Sequence, residues 1–139
     1  MNYLEVFYEV MEEAKNIAVA TSVNNIPNVR IMDFAYDKDA NIIYVASFRG
    51  NPKTIEFDTN NNVSITTLPY EEQKHIRSIG AKINKSSSTI FDKAELFIKK
   101  NAGFKETIDM AGPMLDVYEI QANEYIVTPD IQHTDTIKL

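Results

Sequence analysis

The chain has no cysteine and no tryptophan, only four glycines, two histidines, and three arginines in 139 residues. Without cysteine there is no disulfide framework, no thiolate nucleophile and no thiolate-bound metal, which fits a reduced, cytoplasmic setting. The histidines, His75 and His133, lie far apart. Neither sits in the context a Ser-His-Asp triad needs, and no dense ligand cluster surrounds them. The glycines form neither a P-loop nor a dinucleotide-binding pattern. No run approaches the roughly 18 apolar residues of a membrane span. The N-terminus, MNYLEVFYEVMEEAK, has acids where a signal peptide would have lysines, so export is not expected. Positive charge is scarce: 14 basic against 20 acidic residues, a net charge of −6. That balance argues against general binding to nucleic acid or anionic membranes.

What is present is ordinary for a globular domain: 44% hydrophobic and 24% charged residues, enough for one core over residues 1–139. Leu4, Phe7, Tyr8 and Met11 space out an amphipathic helix from about Asn2 to Lys15. Ile17–Val23 reads as a strand, and Asn24-Asn25 as a tight turn into a strand from Pro27 to Tyr36. After the turn at 37–41 come a strand at Ile42–Ser47, a short helix beyond Asn51 and a strand at Val63–Leu68. His75–Lys85 is a further strand, with Gly80 at a bend or bulge. Thr89–Asn101 reads as a helix that Gly103 closes. Met114–Gln121 and Glu124–Thr128 read as an antiparallel pair around Ala122-Asn123. Residues 129–139 form a polar tail expected to be loosely held. Strands joined by turns dominate, so the expected architecture is mainly β: an antiparallel barrel with flanking helices.

The segment from Ile26 to Thr67 carries the chemistry. Arg30 shares its strand face with Met32 and Phe34, opposite to Val29 and Ile31. An arginine among apolar residues needs an anion, either a bound ligand or an internal partner such as Asp33 or Glu56. Asn51-Pro52 is a helix start signal, expected to leave backbone N–H groups and a positive dipole end free beside Lys53. A lysine in a first helical turn opposes the helix dipole unless an anion is also present. The place suits a phosphate. Asn51 is either a simple cap or a cap that also meets a ligand.

The order of helix, IAVATSV, hairpin, PNVRIMDF, IIYVAS, RGNPKTIEF, NNNVSIT and HIRSIGAKI resembles the pyridoxamine 5′-phosphate oxidase-like family of FMN-binding split barrels. The resemblance implies a six- to seven-stranded antiparallel split β-barrel and a homodimer with FMN at the interface. It also implies flavin-dependent oxidoreduction of a small organic substrate, with hydride passing through the flavin. It places Arg30, Asn51 and Lys53 at the phosphate, Ile31, Met32 and Asp33 along the isoalloxazine, and Ala46 and Ser47 along the ribityl chain. Arg77 would come from the second subunit. The chain departs from the oxidases proper at Pro52, where they carry a second basic residue that Arg49 or Arg77 would have to replace. There is no arginine after Arg77, so the pair that binds pyridoxal phosphate near the C-terminus is missing. A non-catalytic FMN or haem module, with His75 or His133 as axial ligand, and a deazaflavin-dependent reductase are the alternative readings.

Overall fold

The computed structural model describes all 139 residues. Helix α1 (Tyr3–Glu13) begins at Asn2, whose side chain accepts from the Glu5 N–H, and it buries Phe7, Val10 and Met11. That three- and four-residue spacing is what a helix needs to present one apolar face. Leu4, expected on the same face, is exposed. Strand β1 (Asn16–Val23) turns at Asn24-Asn25 into β2 (Ile26–Asp33), and both asparagines have positive φ, 53° and 63°. Two consecutive left-handed residues make a turn whose twist matches the strands beside it.

The long second strand divides at Phe34. Its first part, β2, pairs with β1; its second, β3 (Ala35–Asp37), pairs with β4 (Ile42–Phe48). Helix α2 (Pro52–Thr59), β5 (Asn62–Thr67) and β6 (His75–Lys85) follow. After α3 (Ala94–Lys100) and α4 (Phe104–Ala111) come β7 (Leu115–Gln121), β8 (Glu124–Asp130) and β9 (His133–Lys138). Seven strands of the nine-stranded sheet run β2-β1-β5-β6-β7-β4-β3, and β8 and β9 branch from β6. Because β2 and β3 are nearly continuous chain, this order closes the sheet on itself.

Strand β6 is where the barrel splits. Its first residues, His75–Arg77, pair with β8, and its last, Lys82–Lys85, pair with β7. Between them lies Gly80, opposite a register shift in β5 between Val63 and Ile65. A bulge there bends the strand so that its two halves serve different neighbours.

Three sequence-based expectations are corrected by this arrangement. β7 and β8 are not partners of each other, since both pair with β6, one after the other along its length. Ala122-Asn123 is therefore a corner rather than a hairpin turn. The polar tail is ordered as β9, which covers the outer edge of β8 through Glu124↔Lys138 to Asp130↔His133. The single helix expected over 89–101 is a turn held by Thr89 and Asp92, then the short α3, with α4 beyond it. Gly103 does not end one helix so much as begin the next.

The main core fills the barrel and includes Phe7, Ile17, Val19, Phe57, Ile76 and Tyr125. A second cluster lies between β3, β4, β7 and the pair α3–α4, where Phe97 and Phe104 stack with centroids 4.8 Å apart. Aromatic pairs at this separation stabilise beyond their area burial. No helix is long and apolar enough to cross a membrane.

Candidate functional site

The barrel's pairing register separates two faces. One row reads Met32, Ile17, Thr67, Ile76 and Val127 across neighbouring strands, and every member is buried. The adjacent row reads Ile31, Ala18, Thr66, Arg77 and Ile126, and none is buried. Alternation along each strand produces both rows, because successive side chains point to opposite faces.

Arg30 lies on the inner side, as its place between Val29 and Ile31 requires. Its guanidinium pairs with Glu56 of α2 at 2.9 Å. It also donates to the Val19 carbonyl at 3.0 Å and to Thr21 Oγ1 at 2.9 Å, and lies over the Phe57 ring. Thr21 and Asn28 donate to the same Glu56 carboxylate. The hydrogen bond from Thr21, then that from Arg30, holds the Glu56 carboxyl below the usual carboxylate range. The anion that Arg30 requires is thus inside the chain. Of the two internal partners open to it from sequence, Glu56 is the one used; Asp33 instead accepts from Asn16 at 2.7 Å.

Lys53 has no such partner. No carboxylate lies within ion-pair distance of it. Burial, then the neighbouring Arg30 charge, pushes its ammonium below the usual lysine range. The backbone around it is already occupied. Pro52 has no N–H, the Lys53 N–H donates to Asn51 Oδ1 at 3.2 Å, and the Thr54 N–H donates to the Asn51 carbonyl. Asn51 acts here as a helix cap, and the free amides expected at this helix start are taken.

Lys53 faces a cleft of about 250 Å³. The end of β2 supplies Ile31, Met32 and Asp33 to it, and the end of β4 supplies Ala46, Ser47 and Phe48. Met32 is itself buried, so it presents mainly backbone there, whereas Ile31 is exposed. Phe104 and Thr107 of α4, with Leu115 of β7, form the remaining wall. No motif in the sequence points to these last residues. Their one signal is the amphipathic run FKETIDMA, which buries Phe104 and Ile108 one helical turn apart.

The other nominated groups lie elsewhere. Arg77 is exposed on the outer row and has no ion-pair partner. Arg49, the other replacement for the basic residue lost at Pro52, is bound to Asp116 at 3.0 Å and does not border the cleft. Neither histidine borders it: His75 Nδ1 meets the Gln73 carbonyl, and His133 Nδ1 meets Asp130.

General stress protein 26 from Bacillus anthracis str. Sterne is similar over 100% of each chain, at 16% identity and a TM-score of 0.74. A NimC/NimA family protein from Clostridium acetobutylicum is similar over 97% of this chain and 91% of its own, at 15% identity and a TM-score of 0.72. A heme binding protein from Mycobacterium smegmatis gives a TM-score of 0.79 at 9% identity, covering 99% of this chain and 58% of that one. At such identities the likeness is one of fold. No curated protein matches the sequence. The profile of the family described as pyridoxamine 5′-phosphate oxidase-like matches residues 10–134, nearly the whole molecule. The chain therefore belongs to the pyridoxamine 5′-phosphate oxidase-like family.

Proposed function

We propose that the Lys53 cleft holds FMN, and that the protein is a flavin-dependent oxidoreductase acting on a small organic molecule. The observation that carries the reading is Lys53 itself. It is a partly buried cation in a first helical turn, without a carboxylate partner, in a chain with 20 acidic against 14 basic residues. A cation so placed is opposed by the dipole and by Arg30, and a phosphate would relieve both.

In this reading Lys53 neutralises the phosphate, and Arg30, bound to Glu56, adds positive potential from behind. Ala46 and Ser47 run beside the ribityl chain, and the backbone from Ile31 to Asp33 lies along the ring. Phe104 and Thr107 set the far wall. The flavin supplies hydride transfer when bound; the protein contributes binding, orientation and exclusion of water.

The cleft is smaller than a complete ligand pocket, which spans about 300–1,000 Å³. A second wall is needed, and the outer sheet face supports its being a second copy of the chain. Val29, Ile31 and Ile79 stand 62%, 61% and 71% exposed there, beside the small residues Ala18 and Ala20. Exposed apolar residues on a flat sheet face mark interaction surfaces. Arg77 lies in the same row as Ile31, so Arg77 of the partner subunit would approach the cofactor edge. Haem is the less favoured occupant, because no histidine borders the cleft.

The test is an absorption spectrum after incubation with excess FMN and desalting, with sedimentation on the same sample. Flavin bands at about one FMN per chain in a dimer are expected. Colourless protein would overturn the assignment, and a deazaflavin spectrum retained instead would redirect it.

A further inference from the structure

A second cleft, of about 300 Å³, opens between α1, β3 and α3, away from the Lys53 cleft. Its apolar walls include Tyr8, Met11, Tyr36 and Leu96; three lysines, Lys38, Lys99 and Lys100, and one carboxylate, Glu12, complete the lining. None of the three has a carboxylate within ion-pair distance, although the chain carries a net charge of −6. Lys100 is the deepest. Its ammonium lies 3.7 Å from the Phe34 ring centroid and donates to the Met11 carbonyl at the end of α1. Lys15 in turn donates to the Lys100 carbonyl at 2.7 Å, so Lys100 meets the last turn of α1 and Lys15 the end of α3. That role occupies one of three donors on Lys100. Lys38 lies over the Tyr8 ring at 4.1 Å, leaving its own donors free as well.

Unpaired ammonium groups around an aromatic, methionine-lined trough fit an amphipathic anion. A ring would lie against Tyr8, Tyr36 and Met11, and an acid group would meet the lysines. We propose that this cleft is a second ligand site, for a small aromatic carboxylate whose acid group pairs with Lys100 and, at the mouth, with Lys38 and Lys99. The proposal is independent of any cofactor in the Lys53 cleft.

The site carries its own pH signature. The charged groups facing Lys100 are Glu12 and Glu13 from α1, Lys15 beyond it, Lys38 after β3 and Lys99 on α3. Tyr8 and Tyr36 are the other titratable neighbours, and burial raises Tyr36 well above its ordinary value. Burial and then Lys15 bring Lys100 down to about 7, against the smaller opposing effect of Glu12 and Glu13. Lys100 therefore changes charge near neutrality. A carboxylate binds the charged form, so affinity falls as pH rises.

The experiment is an NMR titration of the full-length, isotope-labelled protein with sodium benzoate and with neutral benzamide. Benzoate is expected to shift Tyr8, Tyr36 and Leu96 and to bind about tenfold tighter than benzamide near pH 6. Its advantage should fall at least threefold by about pH 8, following Lys100 deprotonation. Lys100→Met should remove both the advantage and its pH dependence, while Lys53→Ala should leave them intact. Lys38→Gln with Lys99→Gln, both on the surface, should weaken benzoate about threefold without endangering the fold. Equal binding of benzoate and benzamide would overturn the proposal. So would shifts clustered around Lys53, or benzoate binding unaltered in the Lys variants.

Discussion

Arg30 and Lys53 lie close enough for the charge of one to depress the pKa of the other, yet they are satisfied in opposite ways. Arg30 spends its donors on Glu56, Thr21 and the Val19 carbonyl, while its plane covers Phe57. Lys53 has its cleft and no counter-charge. An arginine fork satisfied on several sides is a structural brace. A lysine left without an anion, where an anion would be favoured, is a site for one. The two cations differ more sharply in their partners than in their position beside the helix start.

The comparison makes unequal predictions for the two residues. Arg30→Ala should cost about 2–3 kcal/mol, because it strips a partly buried carboxylate of its charged partner and removes packing from Phe57. Urea unfolding measures this, and a loss below about 0.5 kcal/mol would mean the brace is ornamental. The pair also carries a pH sign. Glu56 has a folded pKa below its unfolded one, so its contribution is complete above the ordinary carboxylate range. It is lost as pH falls through the depressed value.

Lys53→Ala should do the reverse. Removing a cation from a first helical turn should leave stability unchanged or raise it by about 0.3–1 kcal/mol. FMN affinity should fall about tenfold or more, the scale of one charge-assisted bond to phosphate. Fluorescence titration on matched samples of both variants completes the contrast. If Lys53→Ala bound FMN unchanged while Arg30→Ala, still folded, lost it, the roles of the two cations would be exchanged.

Much of this contrast is legible in the amino-acid sequence. Alternation along NVRIMDF places Arg30 opposite to Val29 and Ile31, and Glu56 is a nameable partner. Asn24-Asn25 announces its hairpin through the left-handed tolerance of asparagine. Elsewhere the determinants are non-local. HTDTIK carries no apolar alternation, and it becomes β9 because β8 offers an edge that must be covered. The chain near Ala122-Asn123 reads as a hairpin by local chemistry alone. Only the length and bend of β6, which can seat two strands in tandem, send β7 and β8 to separate places. The cleft's far wall is hidden because α4 has only eight residues, below what periodicity separates cleanly from a loop.

Lys100 supplies a third case, more deeply buried than Lys53, and with an observable of its own. Its partners are a carbonyl and a ring, neither of which offsets the loss of hydration as a carboxylate would. Its folded pKa of about 7 lies below the unfolded lysine value. Between those two values the unfolded chain binds a proton that the folded chain does not. Stability from this residue therefore rises with pH above about 7 and is lowest below it. Lys100→Met removes the linkage while filling similar space. The variant should exceed the parent by about 1–3 kcal/mol near pH 6, and the gap should narrow by about pH 9. Urea unfolding at the two pH values reads the difference directly. A gap that stayed constant would show that the ammonium keeps its charge in the folded state, held there by Phe34 and the α1 carboxyl end. Lys100 would then stand with Arg30, as a cation the fold has already satisfied.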